Sequence, residues 1–300
     1  MSLPRLRSFS FLDAACSAGL AATIAIVAPA CSDDGAAAEE QAVWTLTQVH
    51  PLVARDVGQV RDGLPRGAEL MAKHIADDPG ADLAELQRRI KSARANVDDL
   101  SFSKGTFFSF TEPSGTVVRS EADPDRLVEK NILDAFPGLK KALEPGAGVV
   151  EATGAMEAMR GVRTGPDISW VAAHAVGPKP GSPQGAPPRG LFVTGWSYRA
   201  YAFYLEEAAR RALTDEARKQ EKNRTPLAYV YLAHGGEVYG APVSPDVNSD
   251  ALRKLDVATR AKDGPYKGRM DITGRVFGVA AQRAPELGGD ATLVVIATVY

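Results

Sequence analysis

The sequence predicts an α+β protein: two tandem units, each an antiparallel sheet with flanking helices, behind an N-terminal helical segment. Three observations lead there. Apolar residues recur at helical spacing up to about residue 100 and at strand spacing beyond it. The later part consists of short aromatic and Val-rich runs separated by Gly, Pro and Ser turns. A displacement of 121 residues also lays one stretch of that later part onto another.

In the helical part, Val43, Leu46, Val49, Val53, Val57 and Val60 recur at steps of three and four. Gly63, Pro65 and Gly67 interrupt the pattern, residues 70–75 resume it, and Leu83, Leu86 and Ile90 continue it after Asp77-Asp78-Pro79-Gly80. Two or three amphipathic helices are expected. A coiled-coil stalk is the alternative for the first, but Gly58, Gly63, Pro65 and Gly67 would keep it short.

Residues 106–111 are aromatic and extended, Glu112-Pro113-Ser114-Gly115 is a turn, and residues 116–119 are extended again, which makes a β-hairpin. Asp123-Pro124-Asp125 is expected to open a helix running to about residue 136, with Asp as cap and Pro in the first turn. Further strands are expected at 148–152, 168–176 and 190–198. The last two flank residues 177–189, whose five prolines suit an exposed hairpin tip.

Under the displacement, residues 107–126 fall on 228–247 without a gap. Phe108 meets Tyr229, Phe110 meets Tyr231, Gly115 meets Gly236, Val117 meets Val238, and Pro124-Asp125 meets Pro245-Asp246. With one residue of slack, Arg88-Arg89 falls on Arg210-Arg211 of a helix starting near Tyr201. Downstream, residues 269–273, 276–283 and 291–300 repeat the short strand and the long final hairpin. Two copies are too few for a solenoid and suggest paired domains.

Helix, hairpin, helix and three antiparallel strands, in that order and twice over, resemble the PAS-like fold of extracellular Cache sensor domains, in the double-Cache arrangement. The resemblance spans about residues 43–300, and the hairpin 107–120 resembles the opening hairpin of those domains. It implies a ligand-binding or partner-regulating module. The amino-acid-binding subset carries Arg followed by a Trp-Tyr pair. Trp196-Ser197-Tyr198-Arg199 holds those residue types in another order, so an amino-acid ligand is not carried over. Such sensors feed a kinase, cyclase or chemotaxis domain, whereas this sequence stops at the strand 291–300. An envelope signalling protein is therefore the expected partner.

The N-terminus reads as a secretion signal. Arg5 and Arg7 precede the uncharged residues 14–31, after which Ser32-Asp33-Asp34 turns polar. Ala28-Pro29-Ala30-Cys31 resembles the lipobox of bacterial lipoproteins, departing from it in that Ala28 and Pro29 stand where Leu, Val or Ile and a small residue are usual. The resemblance implies lipid on Cys31. A signal cleaved without lipid and an uncleaved anchor stay open, since about 18 apolar residues can just span a bilayer. The only cysteines are Cys16 and Cys31, so the mature chain can form no internal disulfide. The expected organisation is signal peptide 1–30, flexible tether 31–42, helical segment 43–100, first unit 101–198 and second unit 199–300. The expected location is the cell envelope, lipid-anchored and facing periplasm or exterior.

With 45% hydrophobic and 24% charged residues and net charge −2, nothing attracts nucleic acid. No cofactor and no enzymatic activity are expected. Ser101-Phe102-Ser103-Lys104 matches S-x-x-K but lacks its partner motifs. His50, His74, His174 and His234 lack the spacing that aims two rings at one metal. The aspartate pairs Asp77-Asp78 and Asp98-Asp99 suit capping, and Gly235-Gly236 suits a hairpin turn. The candidate ligand-binding residues are Trp170 and His174 on one strand and Trp196 and Tyr198 on its partner, each pair sharing a face by the two-residue period. They would offer stacking surfaces to a small organic or cationic ligand. The alternative is that they pack against helices, and Tyr229 and Tyr231 make a weaker case in the second unit. A hydrolase or transferase with an unrecognised site, and a structural lipoprotein without ligand, are the competing functions.

Overall fold

In the computed structural model the described residues are 34–77, 82–156, 167–178, 181, 185–221 and 225–299. The signal sequence with Cys31, and residues 179, 180 and 182–184 of the proline-rich tip, lie outside them.

Helix α1 runs unbroken from Asp34 to Asp77, about 66 Å at 1.5 Å per residue. This departs from the sequence expectation twice. Residues 34–42 of the expected tether are helical, with Ala38 and Ala42 buried, and no break occurs at residues 63–67. Gly63 and Gly67 mark close approaches instead: a Cβ there would come within 2.8 Å of Leu100 and 2.7 Å of Phe192. Pro51 and Pro65 also sit inside the helix. Each would cost about 3 kcal/mol in an isolated helix. The buried stripe Leu46, Val49, Val53, Val57, Val60, Leu64 and Met71 outweighs them, since each such side chain contributes about 1.5–3 kcal/mol on burial.

Helices α2 (Leu83–Ala95) and α3 (Asp98–Phe102) lead into the first sheet. Its strands are β1 (Phe107–Thr111), β2 (Val117–Ser120), β3 (Val150–Gly154), β4 (Ser169–Val176) and β5 (Gly190–Ser197). Helix α4 (Ile132–Ala135) and a 3-10 helix, Pro137–Leu143, lie between β2 and β3. Helix α5 (Tyr198–Lys219) joins this sheet to the second, made of β6 (Leu227–His234), β7 (Glu237–Gly240), β8 (Tyr266–Ile272), β9 (Arg275–Arg283) and β10 (Thr292–Thr298). Helices α6 (Asp246–Lys254) and α7 (Val257–Arg260) connect β7 to β8.

The two sheets are antiparallel with matching strand orders, β2-β1-β5-β4-β3 and β7-β6-β10-β9-β8. The repeat read from the sequence holds at the level of register. Phe110 pairs with Arg119, and Tyr231 pairs with Gly240, each residue displaced by 121. The first hairpin then slips by one residue between Phe110 and Thr111, a bulge the second lacks.

The expected helix from Asp123 does not form. The Asp125 carboxylate instead accepts from the Ser120 backbone N–H (2.6 Å), the Ser120 hydroxyl (2.7 Å) and the Leu127 N–H (2.9 Å). This Asp-centred turn takes the donors a helix start would use, and helix waits until Asn131 caps Ile132 through the Leu133 N–H.

Each sheet has two covered faces. One face of both sheets packs on α1 and α5 in a shared core. The opposite face of the first sheet is closed by α4 and the 3-10 helix, and that of the second by α6 and α7.

Candidate functional site

Alternation along β4 and β5 puts Trp170 and Trp196 on the face that meets α1, and the register sets them directly opposite one another. Their rings stack with centroids 4.4 Å apart and planes at 28°. Tyr201, one turn into α5, stacks on Trp196 at 4.9 Å, and Tyr204, three residues on, stacks on Tyr201 at 5.9 Å. The Lys104 ammonium lies 4.7 Å from the Tyr204 ring, closing a column of four rings that runs from the first sheet onto the helix leading to the second.

Polar groups from α1 and β3 flank the column. The Trp170 N–H donates to Glu151 Oε2 (3.3 Å), whose carboxylate also takes Arg61 Nη2 (3.0 Å). Asp56, fully buried on α1, accepts from the Tyr201 hydroxyl (2.9 Å) and from Arg55 (2.7 Å), and Arg55 also donates to the Tyr204 hydroxyl (3.0 Å). Burial, then the Asp56 charge, pushes the Tyr201 phenol well above its ordinary value, so it stays a donor. The Trp196 N–H is buried without a hydrogen-bond partner among the described residues.

The structure thus brings Trp170 and Trp196 together and leads His174 and Tyr198 elsewhere. His174 shares the Trp170 face but sits about 13 Å along the strand. It is half-buried opposite Phe192, with Nδ1 2.8 Å from the Ala175 carbonyl oxygen. Tyr198 is the first residue of α5, not the last of β5, because the Ser197 hydroxyl accepts from the Ala200 N–H and caps the helix there. Its hydroxyl donates to the Leu287 carbonyl (2.6 Å), and its ring meets Tyr239 edge-on at 5.7 Å. Burial pushes its phenol up as well. Trp170, Trp196 and Tyr198 have 1%, 0% and 0% of their surface exposed, so they are packed into the core as the structure stands. Sequence reasoning missed Tyr201, Tyr204, Asp56 and Glu151. The Tyr-x-x-Tyr spacing at the head of a helix, directly after a Trp-bearing strand, was the available signal.

In the second unit Tyr231 is buried and its hydroxyl accepts from Asn248 Nδ2 (2.9 Å). Nearby, Glu206 of α5 caps the edge of β6 beyond the end of β7, accepting from the Val230 N–H (3.4 Å) and the Ser244 hydroxyl (3.3 Å). Burial raises the Glu206 carboxyl above its usual range. Among the described residues, no group of three His, Cys, Asp or Glu side chains could hold a metal ion.

No family model and no curated protein matches the chain. Solved structures do. The extracellular domain of a protein named as a histidine kinase aligns with 88% of this chain and 92% of its own at 11% identity and a TM-score of 0.52. A domain of a sensory box/GGDEF family protein from Vibrio parahaemolyticus aligns with 87% of this chain and 97% of its own at 12% identity and TM-score 0.51. The ligand-binding domain of the Pseudomonas aeruginosa amino acid chemoreceptor PctB, solved with L-Arg, gives 13% identity, coverages of 88% and 94%, and a lower TM-score of 0.45. At these identities the likeness is one of fold: two tandem Cache/PAS-like units with an N-terminal helix.

Proposed function

We propose that this protein is an extracytoplasmic sensory module that binds a small molecule and passes its state to an envelope signalling partner, held at the membrane by lipid on Cys31. The observation that supports it most is the pair of matching sheets strung along one helix, a fold that aligns with the histidine-kinase extracellular domain at a TM-score of 0.52. In this reading Trp170, Trp196 and Tyr198 act from inside. They form the packing through which an event at the first sheet reaches α5, while the half-buried His174 is the member of the set nearest solvent. No catalytic role is proposed for any residue.

A thermal-shift screen of residues 32–300 against small metabolites tests the sensory reading, because a ligand that binds only the folded state raises its apparent stability. A hit is expected to lose its effect when Trp196 is shortened to Leu. A screen without hits would remove the ligand from the proposal. Mass spectrometry of the mature N-terminus tests the anchor, with a diacylglycerol-modified Cys31 as the expected species and an unmodified one as the outcome against it.

A further inference from the structure

Trp44 is the one tryptophan whose ring is not fully enclosed, and it stands where the start of α1 meets the end of α5 and the last strand residues. A cavity of about 390 Å³ opens there. Its floor is apolar, formed by the buried Leu213 and Ala217 with Pro226 and Val299. The Trp44 indole makes one wall, and the polar groups are Glu40, Gln41, Glu216 and Gln220, two carboxylates and two amides with no Lys or Arg among the described lining residues.

The pairing of these groups is uneven. On the other side of Trp44, Glu39 is already neutralised by Lys267 (3.7 Å) and Arg269 (3.3 Å). Among the described residues the Glu40 carboxylate has no hydrogen bond or ion pair, and neither does the Trp44 N–H. Glu216 takes a hydrogen bond from Gln220 (2.6 Å), and its ion pair among the described residues is with the exposed Lys219 ammonium at 4.0 Å. Helix α5 also ends here, and its C-terminal carbonyls add partial negative charge.

The geometry points to a binding site for a small organic ammonium ion, primary or quaternary, at this junction. The Glu40 and Glu216 carboxylates supply the counter-charge, the indole face supplies a cation–π contact, and the apolar floor accommodates alkyl groups. A hydrated metal ion fits poorly, since a hard cation asks for six or more oxygen ligands and this cavity presents an indole and aliphatic carbon. The same chemistry can come from a free amine or from a lipid headgroup, and α1 begins three residues after Cys31, where the proposed anchor would enter the membrane. The site is separate from the aromatic column of the first sheet, so the inference does not depend on where a sensed ligand binds.

Choline chloride titrated into the purified protein, with sodium chloride as the control, tests this through tryptophan fluorescence, because Trp170 and Trp196 are shielded and Trp44 carries the accessible signal. Saturable binding below about 1 mM is expected, weakened about tenfold in Glu40→Gln and in Glu216→Gln, and in Trp44→Leu when followed by calorimetry. Unchanged melting temperatures would show that the variants remain folded. Co-sedimentation with phosphatidylcholine vesicles, against phosphatidylglycerol vesicles, separates the sources. Choline binding without vesicle binding assigns the site to a free amine, and vesicle binding abolished by the same variants assigns it to a headgroup. Binding of neither probe, an equal response to sodium, or binding indifferent to Glu40 and Glu216 would overturn the site.

Discussion

The two sheets share a strand order yet hold α1 in different ways. On the second sheet the facing residues are small or aliphatic, including Ala280, Leu293 and Val295, and Gly278 lets the helix backbone at Ala38 lie directly on β9. On the first sheet the layer under the helix is thick: Trp170 and Trp196, with Tyr201 from α5, separate strands from helix and place a buried carboxylate, Asp56, in the contact. Direct backbone contact leaves no room for adjustment. A layer of stacked rings bonded to one carboxylate holds the helix through side chains, and under the proposed sensory function the first sheet is where a ligand-dependent change is expected.

Four substitutions would break or sharpen this contrast. The largest loss is expected from Gly278→Ala, whose added Cβ would overlap the Ala38 carbonyl, and a destabilisation of at least about 4 kcal/mol in urea unfolding should follow. A near-neutral result would show that α1 can lift off the second sheet. Trp196→Ala should come next, at about 3–5 kcal/mol, and should loosen α5 as well as the first sheet, read by faster amide exchange in both. Exchange confined to the first sheet would mean that the column does not couple them. Tyr201→Phe leaves the stack but removes a donor from buried Asp56, with an expected loss of about 1–3 kcal/mol.

The smallest effect belongs to Glu206→Gln in the second unit, and it is one of pH. Because burial raises the folded-state pKa of Glu206, the folded protein holds this proton where the unfolded chain releases it. Stability from this group is therefore present below the ordinary glutamate value and is lost as pH rises toward the raised one. The Gln variant should lack that decline, so its stability relative to the parent should climb across the window. Parallel stability curves for the two proteins would count against a buried, proton-holding Glu206.

The sequence by itself determined the hairpins and the repeat. These depend on short-range signals: alternation of apolar residues, Gly-bearing turns, and a displacement of 121 that survives as register in Phe110–Arg119 and Tyr231–Gly240. The candidate site was half legible for the same reason. Two-residue periodicity put Trp170 and Trp196 on one face, but periodicity says nothing about what covers that face. Only the tertiary structure decided that α1 continues through Pro51, Gly63 and Pro65, because the gain comes from two sheets distant in sequence. It likewise decided that Asp125 folds a turn and caps no helix, that Tyr198 turns toward Leu287, and that Asp56 and Tyr201, 145 positions apart, share a hydrogen bond in the dry interior. Local patterns specify which way a side chain points, and the energy of burying it belongs to whatever partner the rest of the chain delivers.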